Sequence, residues 1–455
     1  MRFTQDKLHT SRGSILVLLG TMMLFIMGLA GLAVDMIHAY SVRAKLVTAV
    51  DAAALGGARA LNSAVGSGAQ QAAVTDTVQK LFNANFPAGF LLTRSRTVDS
   101  PTITDNGNGS RTVRVVGRAV MPTFFIRAFG YESLNVGSTA SAMRRDVNLM
   151  LVLDRSGSMN RAPGFNPGPT AFDDLRVAAT EFVSYFDDLR DRLGVVSFGT
   201  SPHLDVAPAT GFKTTVTSEI NRMIANNSGT TSPEGLWMAY TALKGLGGGG
   251  ALNVIVFFTD GVATGFAGNF NVTSGTCAGQ QRAGVAQTFS VPGSDQARGL
   301  HPLDAGPAPI ANDETVYLPG CGFSSSSDLR NRVPIIPALD LHGTSVYGYR
   351  SIPYISGGNI SMRGLNIKPV SDNLTINTAA RARQDAGLPI TIYSIGVGGA
   401  EYPADHELMR MVANDPLAAT YSSSEATGIY VYAPDASQLK RGFRRVASEI
   451  HRLVQ

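Results

Sequence analysis

The stretch Val147-Asn148-Leu149-Met150-Leu151-Val152-Leu153-Asp154-Arg155-Ser156-Gly157-Ser158-Met159 decides how this chain is read. Its apolar run, interrupted only by Asn148, fits a strand buried on both faces of a parallel sheet. The carboxylate of Asp154 and the hydroxyls of Ser156 and Ser158 then gather on a turn at the strand's C-terminal edge. Open α/β sheets bind ligands along that edge. Donors that are all oxygen, with no thiol or imidazole, suit a hard cation such as Mg²⁺ or Mn²⁺. Taken alone, such a turn would more often be a helix cap, because Asp and Ser are capping and turning residues.

Two later segments change that balance. Asn253-Val254-Ile255-Val256-Phe257-Phe258-Thr259-Asp260-Gly261 is a second buried-strand pattern ending in a carboxylate. Between the two lies Ser228-Gly229-Thr230-Thr231-Ser232-Pro233-Glu234-Gly235-Leu236, a glycine turn opening onto a helical stretch. Together the segments resemble the von Willebrand factor type A (vWA) domain, with its D-x-S-x-S turn, loop threonine and T-D-G aspartate in that order. The resemblance implies an α/β fold with a doubly wound, mostly parallel, Rossmann-like sheet. It also implies a metal-ion-dependent adhesion site. Ser156, Ser158 and Thr230 would ligate Mg²⁺ (or Mn²⁺) through hydroxyls, with Asp154 and Asp260 acting directly or through water. Alignment on Gly235-Leu236 selects Thr230 over Thr231.

Upstream, Ser14 to Val34 is a 21-residue run without a charge, enough to cross a hydrocarbon core of about 30 Å as a helix. Arg2, Lys7 and Arg12 precede it and favour a cytoplasmic N-terminus over residues 1–13, despite Arg43 and Lys45 on the far side. A cleaved signal peptide ending near Gly31-Leu32-Ala33 is the rival. The length of the apolar run, and its continuation into an alanine-rich helical stalk over 35–61, favour a retained anchor. Arg12-Gly13, the apolar span, Gly31-Leu32-Ala33-Val34-Asp35 and Asp51-Ala52-Ala53-Ala54-Leu55-Gly56-Gly57-Ala58 resemble the Tad-like N-terminal region of TadG-type proteins, which belong to the Flp (tight adherence) pilus assembly system. Gly13-Ser14 is similar to a prepilin processing boundary, but Leu18 stands where pilins place a glutamate. The resemblance implies a single-pass protein of a bacterial inner membrane, its bulk periplasmic or extracellular, associated with the pilus.

Residues 62–145 read as a small pilin-like α+β domain. A helix over Ala69 to Phe86 precedes strands over Arg94 to Thr104 and Arg111 to Met121, joined by the turn Asp105-Asn106-Gly107-Asn108-Gly109. A short helix opens at Pro122-Thr123-Phe124-Phe125, and Leu134 to Ala142 is a further strand. Residues 146–455 form the vWA domain. Helices are expected over Phe172 to Phe186, Phe212 to Ile224, Pro233 to Leu243, Glu407 to Ala413 and Ala436 to Leu453, with strands over Leu193 to Phe198 and Pro389 to Val397.

An insertion over 262–375 interrupts this alternation and has no long apolar period. A structureless loop of that size is uncommon unless it is functional or disordered. It reads either as a lid over the metal face, with Tyr317, Tyr347, Tyr349 and Tyr354 as contact residues, or as a solvated excursion. Its Cys277 and Cys321 form a disulfide if the domain lies outside the cytoplasm, and are otherwise two buried thiols.

Charge is modest, a formal +4 with 16% charged residues. The compact basic cluster Lys440, Arg441, Arg444 and Arg445 fits a solvated helix face, so no nucleic-acid partner is expected. No H-E-x-x-H, P-loop or G-x-S-x-G pattern is present, and a non-enzymatic role is expected. A metal held by hydroxyls would keep its positive charge and favour an acidic group from a partner. The expected function is metal-dependent binding of a pilus component or an acidic protein or glycan surface. The alternatives are a structural assembly factor or minor pilin that uses the metal site only for docking, and a Mg²⁺-dependent hydrolase.

Overall fold

The computed structural model describes residues 12–61, 67–107, 109–160, 170–225, 228–247, 249–261, 263–288, 295–307, 315–324, 328–398 and 404–454. Most of the expected cytoplasmic segment lies outside them. Two compact units are present. One takes the chain up to Asn106 together with Arg111–Arg144, the other Gly107–Ser110 together with Arg145–Val454.

In the first unit, α1 (Arg12–Ala60) runs unbroken through the expected span and stalk. Among the described residues it is the one helix long and apolar enough to cross a membrane. Its large apolar side chains from Val17 to Ile37 are exposed. From Val42 onward the helix changes role: Val42, Leu46, Val50, Ala53 and Ala54 are buried in a core shared with α2 (Ser67–Asn85). From Val42 onward the expected stalk is therefore a core helix of the small domain. Its alanines and glycines bring α2 close. A Cβ on Gly57 would lie 2.9 Å from Val78 Cγ2, and one on Gly56 1.9 Å from Leu81 Cδ1. A contact surface of small residues shows no apolar period, so its burial is invisible in the hydropathy pattern.

The stretch expected as a single strand from Arg94 is two, β1 (Ser95–Val98) and β2 (Thr102–Asp105), both antiparallel to β3 (Ser110–Pro122). Asp99-Ser100-Pro101 separates them, since proline cannot donate to a ladder. A 3₁₀ turn over Ile126–Phe129 follows, and β4 (Ser133–Arg145) pairs with β3.

The second unit opens with β5 (Val147–Asp154), α3 (Ala171–Ser184), β6 (Arg192–Phe198), β7 (Pro202–Ala209), α4 (Phe212–Arg222), α5 (Ser232–Lys244) and β8 (Leu252–Thr259). The insertion contributes β9 (Gly265–Asn271), β10 (Gln281–Thr288) and β11 (Ala297–His301) as an antiparallel sheet, then the short strands β12 (Ile335–Ile336), β13 (Ile355–Ser356) and β14 (Asn359–Ser361). The chain closes with α6 (Gly364–Arg383), β15 (Ile390–Val397), α7 (His406–Ala413), β16 (Tyr430–Ala433) and α8 (Ala436–Leu453).

Among the described residues the main sheet has six strands in the order β16-β15-β8-β5-β6-β7. Neighbours are parallel except β6 with β7 at the edge. Leu149, Leu151 and Leu153 of β5 face a core with α3, α4 and α8, whereas Met150 and Val152 face one with α5, α6 and α7. Asn148, the polar interruption, donates through Nδ2 to Asn253 Oδ1 at 2.9 Å, its partner in register on β8. A buried amide paired in this way is tolerated inside a sheet core.

The described residues of the insertion are folded rather than a structureless excursion. Phe266, Phe270, Leu300, Val333 and Ile360 form a separate core with Cys277 and Cys321, which are joined in a disulfide. Its β9, β10 and β11 mix glycine and polar residues among the apolar ones, and β12 to β14 have only two or three residues, so their alternation is hard to see in the sequence. The expected end of the insertion at Thr375 falls inside α6. That helix has no apolar signature because many of its buried positions are polar. Asn366 Nδ2 donates to the carbonyls of Tyr354 and Ser361, and Asn373 Nδ2 to those of Val346 and Arg350, all within 2.7–3.1 Å.

Candidate metal centre

The chosen residues come to one edge of the sheet from three chain segments. Asp154 ends β5, Ser156 and Ser158 lie on the turn beyond it, Thr230 sits in the loop before α5, and Asp260 follows β8. All five are buried except Ser158, which is half-buried. The Asp154 turn is self-locking: Ser156 N–H donates to Asp154 Oδ1 at 2.8 Å, and the Ser156 and Ser158 Oγ atoms lie 3.0 Å apart. Gly157 N–H reaches the Ser228 carbonyl at 3.0 Å, which ties this turn to the threonine loop.

The two carboxylates feel each other. Burial, and then the nearby Asp260 charge, push the Asp154 carboxyl up to about 7, against the pull of the Ser156 and Thr259 donors. Two buried acids in mutual repulsion, flanked by hydroxyl oxygens, are what a divalent cation would relieve. The donor set fits such an ion on chemical grounds. Among the described residues no group of three or more His, Cys, Asp or Glu side chains is placed to hold a metal. An ion here would therefore rely on the serine and threonine oxygens.

The neighbouring threonines are used differently. Thr231 Oγ1 donates to the Thr200 carbonyl at 2.7 Å and stands at the N-terminus of α5. Thr230 is held by its backbone: its N–H donates to Thr264 Oγ1 at 2.7 Å, and its carbonyl accepts from Thr264 N–H at 2.8 Å.

Several residues that shape the site were not singled out from the sequence. Thr259 Oγ1 donates to Asp154 Oδ2 at 2.6 Å. Thr200 Oγ1 accepts from Gly229 N–H at 3.0 Å and lies 3.2 Å from Gln287 Oε1 on β10. A Cβ at Gly229 would lie 2.2 Å from that same oxygen, so the threonine loop packs closely against Gln287. Thr264 and Gln287 belong to the insertion, whose root is thus a fixed wall of the threonine loop. The one local signal was the density of hydroxyls in 200–201 and 228–232. Of the four insertion tyrosines, Tyr347, Tyr349 and Tyr354 are exposed, whereas Tyr317 packs against the insertion core.

Beyond Asp260 the turn is tight. Gly261 has φ +85°, and a Cβ there would lie 2.7 Å from Asp405 N. Asp405 caps α7 through Leu408 N–H and pairs with Arg350 of the insertion at 2.6 Å.

Residues 149–262 match the family model of the von Willebrand factor type A domain, and residues 13–60 that of the putative Flp pilus-assembly TadE/G-like family. No curated protein matches the chain. Similar solved structures include the PilB minor pilin from Streptococcus sanguinis, at 14% identity over 79% of each chain with a TM-score of 0.40. Another is the vWF domain of the type V pili tip protein Mfa5 from Porphyromonas gingivalis, at 16% identity, 69% of this chain, 98% of that chain and a TM-score of 0.39. A third is the pilus adhesin SpaC from Lactobacillus rhamnosus GG in its open conformation, at 14% identity, 80% of this chain, 35% of that chain and a TM-score of 0.39.

Proposed function

We propose that this chain, a vWA domain carried behind a Tad-like N-terminal helix, is a membrane-anchored binding protein of a Flp-type pilus system. Its vWA domain takes up Mg²⁺ or Mn²⁺ and grips an acidic group on a partner. The carrying observation is the gathering of Asp154, Ser156, Ser158, Thr230 and Asp260 on one sheet edge, where the two carboxylates repel each other. Ser156, Ser158 and Thr230 would hold the ion through neutral oxygens, with Asp154 and Asp260 balancing part of its charge. When bound, the ion supplies an electrophilic contact for a carboxylate. The partner is a pilus component or an acidic protein or glycan surface, and the α1 helix fixes the molecule in the inner membrane with its bulk outside the cytoplasm.

This is a role in binding rather than catalysis. The test is retention of the full chain on beads carrying polyglutamate, with millimolar Mg²⁺ and then with chelator. Retention should need the metal and vanish in Asp260→Ala, whose circular dichroism should stay that of the parent. Retention that is indifferent to chelator counts against the metal's role. Turnover of a phosphate ester with Mg²⁺ would favour an enzyme instead.

A further inference from the structure

The first unit carries an apolar surface that α1 alone does not account for. Phe124, Phe125, Phe129 and Tyr131 are exposed on the connection between β3 and β4, Phe129 at 77%. Leu91 and Leu92 are exposed on the turn before β1, at φ +46° and +62°. Left-handed backbone is costly for residues other than glycine, so a surface turn holding two leucines this way needs a reason.

Both turns are fastened to α1 near the end of its exposed apolar run. The Asp35 carboxylate accepts three backbone N–H groups, from Phe124 at 2.8 Å, Phe125 at 2.9 Å and Ile126 at 2.8 Å. A Cβ on Gly31 would lie 2.5 Å from Phe125 Cγ, so a glycine there lets the aromatic turn lie against the helix. The His38 ring nitrogen donates to the Leu91 carbonyl at 2.8 Å, and its ring lies 5.2 Å from that of Phe124.

A carboxylate at the edge of the hydrocarbon is expensive unless its oxygens are satisfied. Here the opening of the 3₁₀ turn satisfies them, so Asp35 need not mark the end of the lipid-facing surface. Met36, Ile37 and Tyr40 beyond it are also exposed. Val17 to Tyr40 is 24 residues, about 36 Å of helix. That exceeds a hydrocarbon core of about 30 Å and fits within a whole bilayer of about 40–45 Å. The 124–131 turn carries three apolar phenylalanine rings beside Tyr131, whose hydroxyl-bearing ring suits the membrane interface, and an exposed Arg127 able to reach lipid phosphates.

We infer that the turns 90–92 and 124–131 form a collar seated in the headgroup layer of the bilayer, the second clamped to α1 through Asp35 and the first through His38. The collar takes a lipid surface as its partner and sets the depth and tilt at which the small domain leaves the membrane. This rests on the membrane-anchor reading above, and the test separates the two. Both cysteines of the chain are in the disulfide, so single cysteines can be labelled with a polarity-sensitive fluorophore. Full-length Phe129→Cys, Leu24→Cys and Lys80→Cys proteins are reconstituted in phosphatidylcholine–phosphatidylglycerol vesicles containing lipids with a quencher near the headgroup or deep in the acyl chain.

The shallow quencher should extinguish the label at 129 several-fold and the deep one that at 24, with neither affecting the exposed position 80. Adding Asp35→Ala to Phe129→Cys should weaken the quenching at 129. If 24 is quenched while 129 behaves like 80, the collar is overturned and the anchor stands. A label at 129 that is shielded from water yet not quenched by lipid is covered by protein, which also overturns the collar. If 24 is not quenched, the anchor itself fails and the collar falls with it.

Discussion

Thr259 and Asp154 are joined by a hydroxyl-to-carboxylate hydrogen bond of 2.6 Å between the ends of adjacent parallel strands. Gly261 N–H donates to the same Thr259 oxygen at 3.0 Å. One side chain therefore sets both the orientation of Asp154 and the turn that carries Asp260. Replacing it with the isosteric valine strands a buried acceptor. Thr259→Val should lower stability by roughly 1–3 kcal/mol, the cost of an unsatisfied buried polar group. Urea unfolding of the metal-free protein checks this, and an unchanged midpoint would remove the bond from the account.

The raised Asp154 carboxyl gives a pH dependence of definite sign. The group sits near 3.8 when unfolded and about 7 when folded. The folded state therefore binds more protons in that window, and its stability falls as pH rises through it. A divalent ion should oppose that loss, and protons should compete with it for the site. The increase in melting temperature produced by Mg²⁺ should therefore grow between pH 5 and pH 8. Melts showing a larger increase at the acid end would contradict the assignment.

Gly261 tests the turn itself. Its φ of +85° and the 2.7 Å approach of Asp405 N leave no room for a side chain. Gly261→Ala should cost on the order of 1–3 kcal/mol, combining left-handed strain with displacement of the α7 cap. It should also abolish the Mg²⁺-dependent rise in melting temperature. Retention of that rise with normal stability would show that the turn tolerates movement.

The disulfide closes a separation of 44 residues within the insertion. Cys277→Ser with Cys321→Ser should destabilise that element by about 2–4 kcal/mol. Hydrogen exchange should quicken in 265–336 well before it does in the main sheet. Uniform exchange across the vWA unit would mean that the insertion and the sheet unfold together.

What the sequence revealed follows from locality. Asp154, Ser156 and Ser158 share one turn, and Thr230 and Asp260 each lie in short segments with their own strand or helix signal, so each of the five has a local pattern in the sequence. Thr264 and Gln287 could not, because their contacts with Thr230 and Thr200 join parts of the chain with no shared pattern. The alternation of strand and helix was readable where buried faces are apolar, as in β5 and α3. It was lost in α6, whose buried Asn366 and Asn373 bind loop carbonyls; in α1 around Gly56-Gly57 the helix was readable but its burial was not, because packing there depends on missing side chains. Edge strand β7 and short β16 carry too little alternation to stand out.

The most direct measurement is calorimetric titration of the detergent-solubilised full chain with magnesium or manganese chloride, beside Asp260→Ala. Saturable uptake of one ion by the parent, absent in the variant, is the predicted result. No heat at millimolar concentration, or equal uptake by the variant, would contradict it.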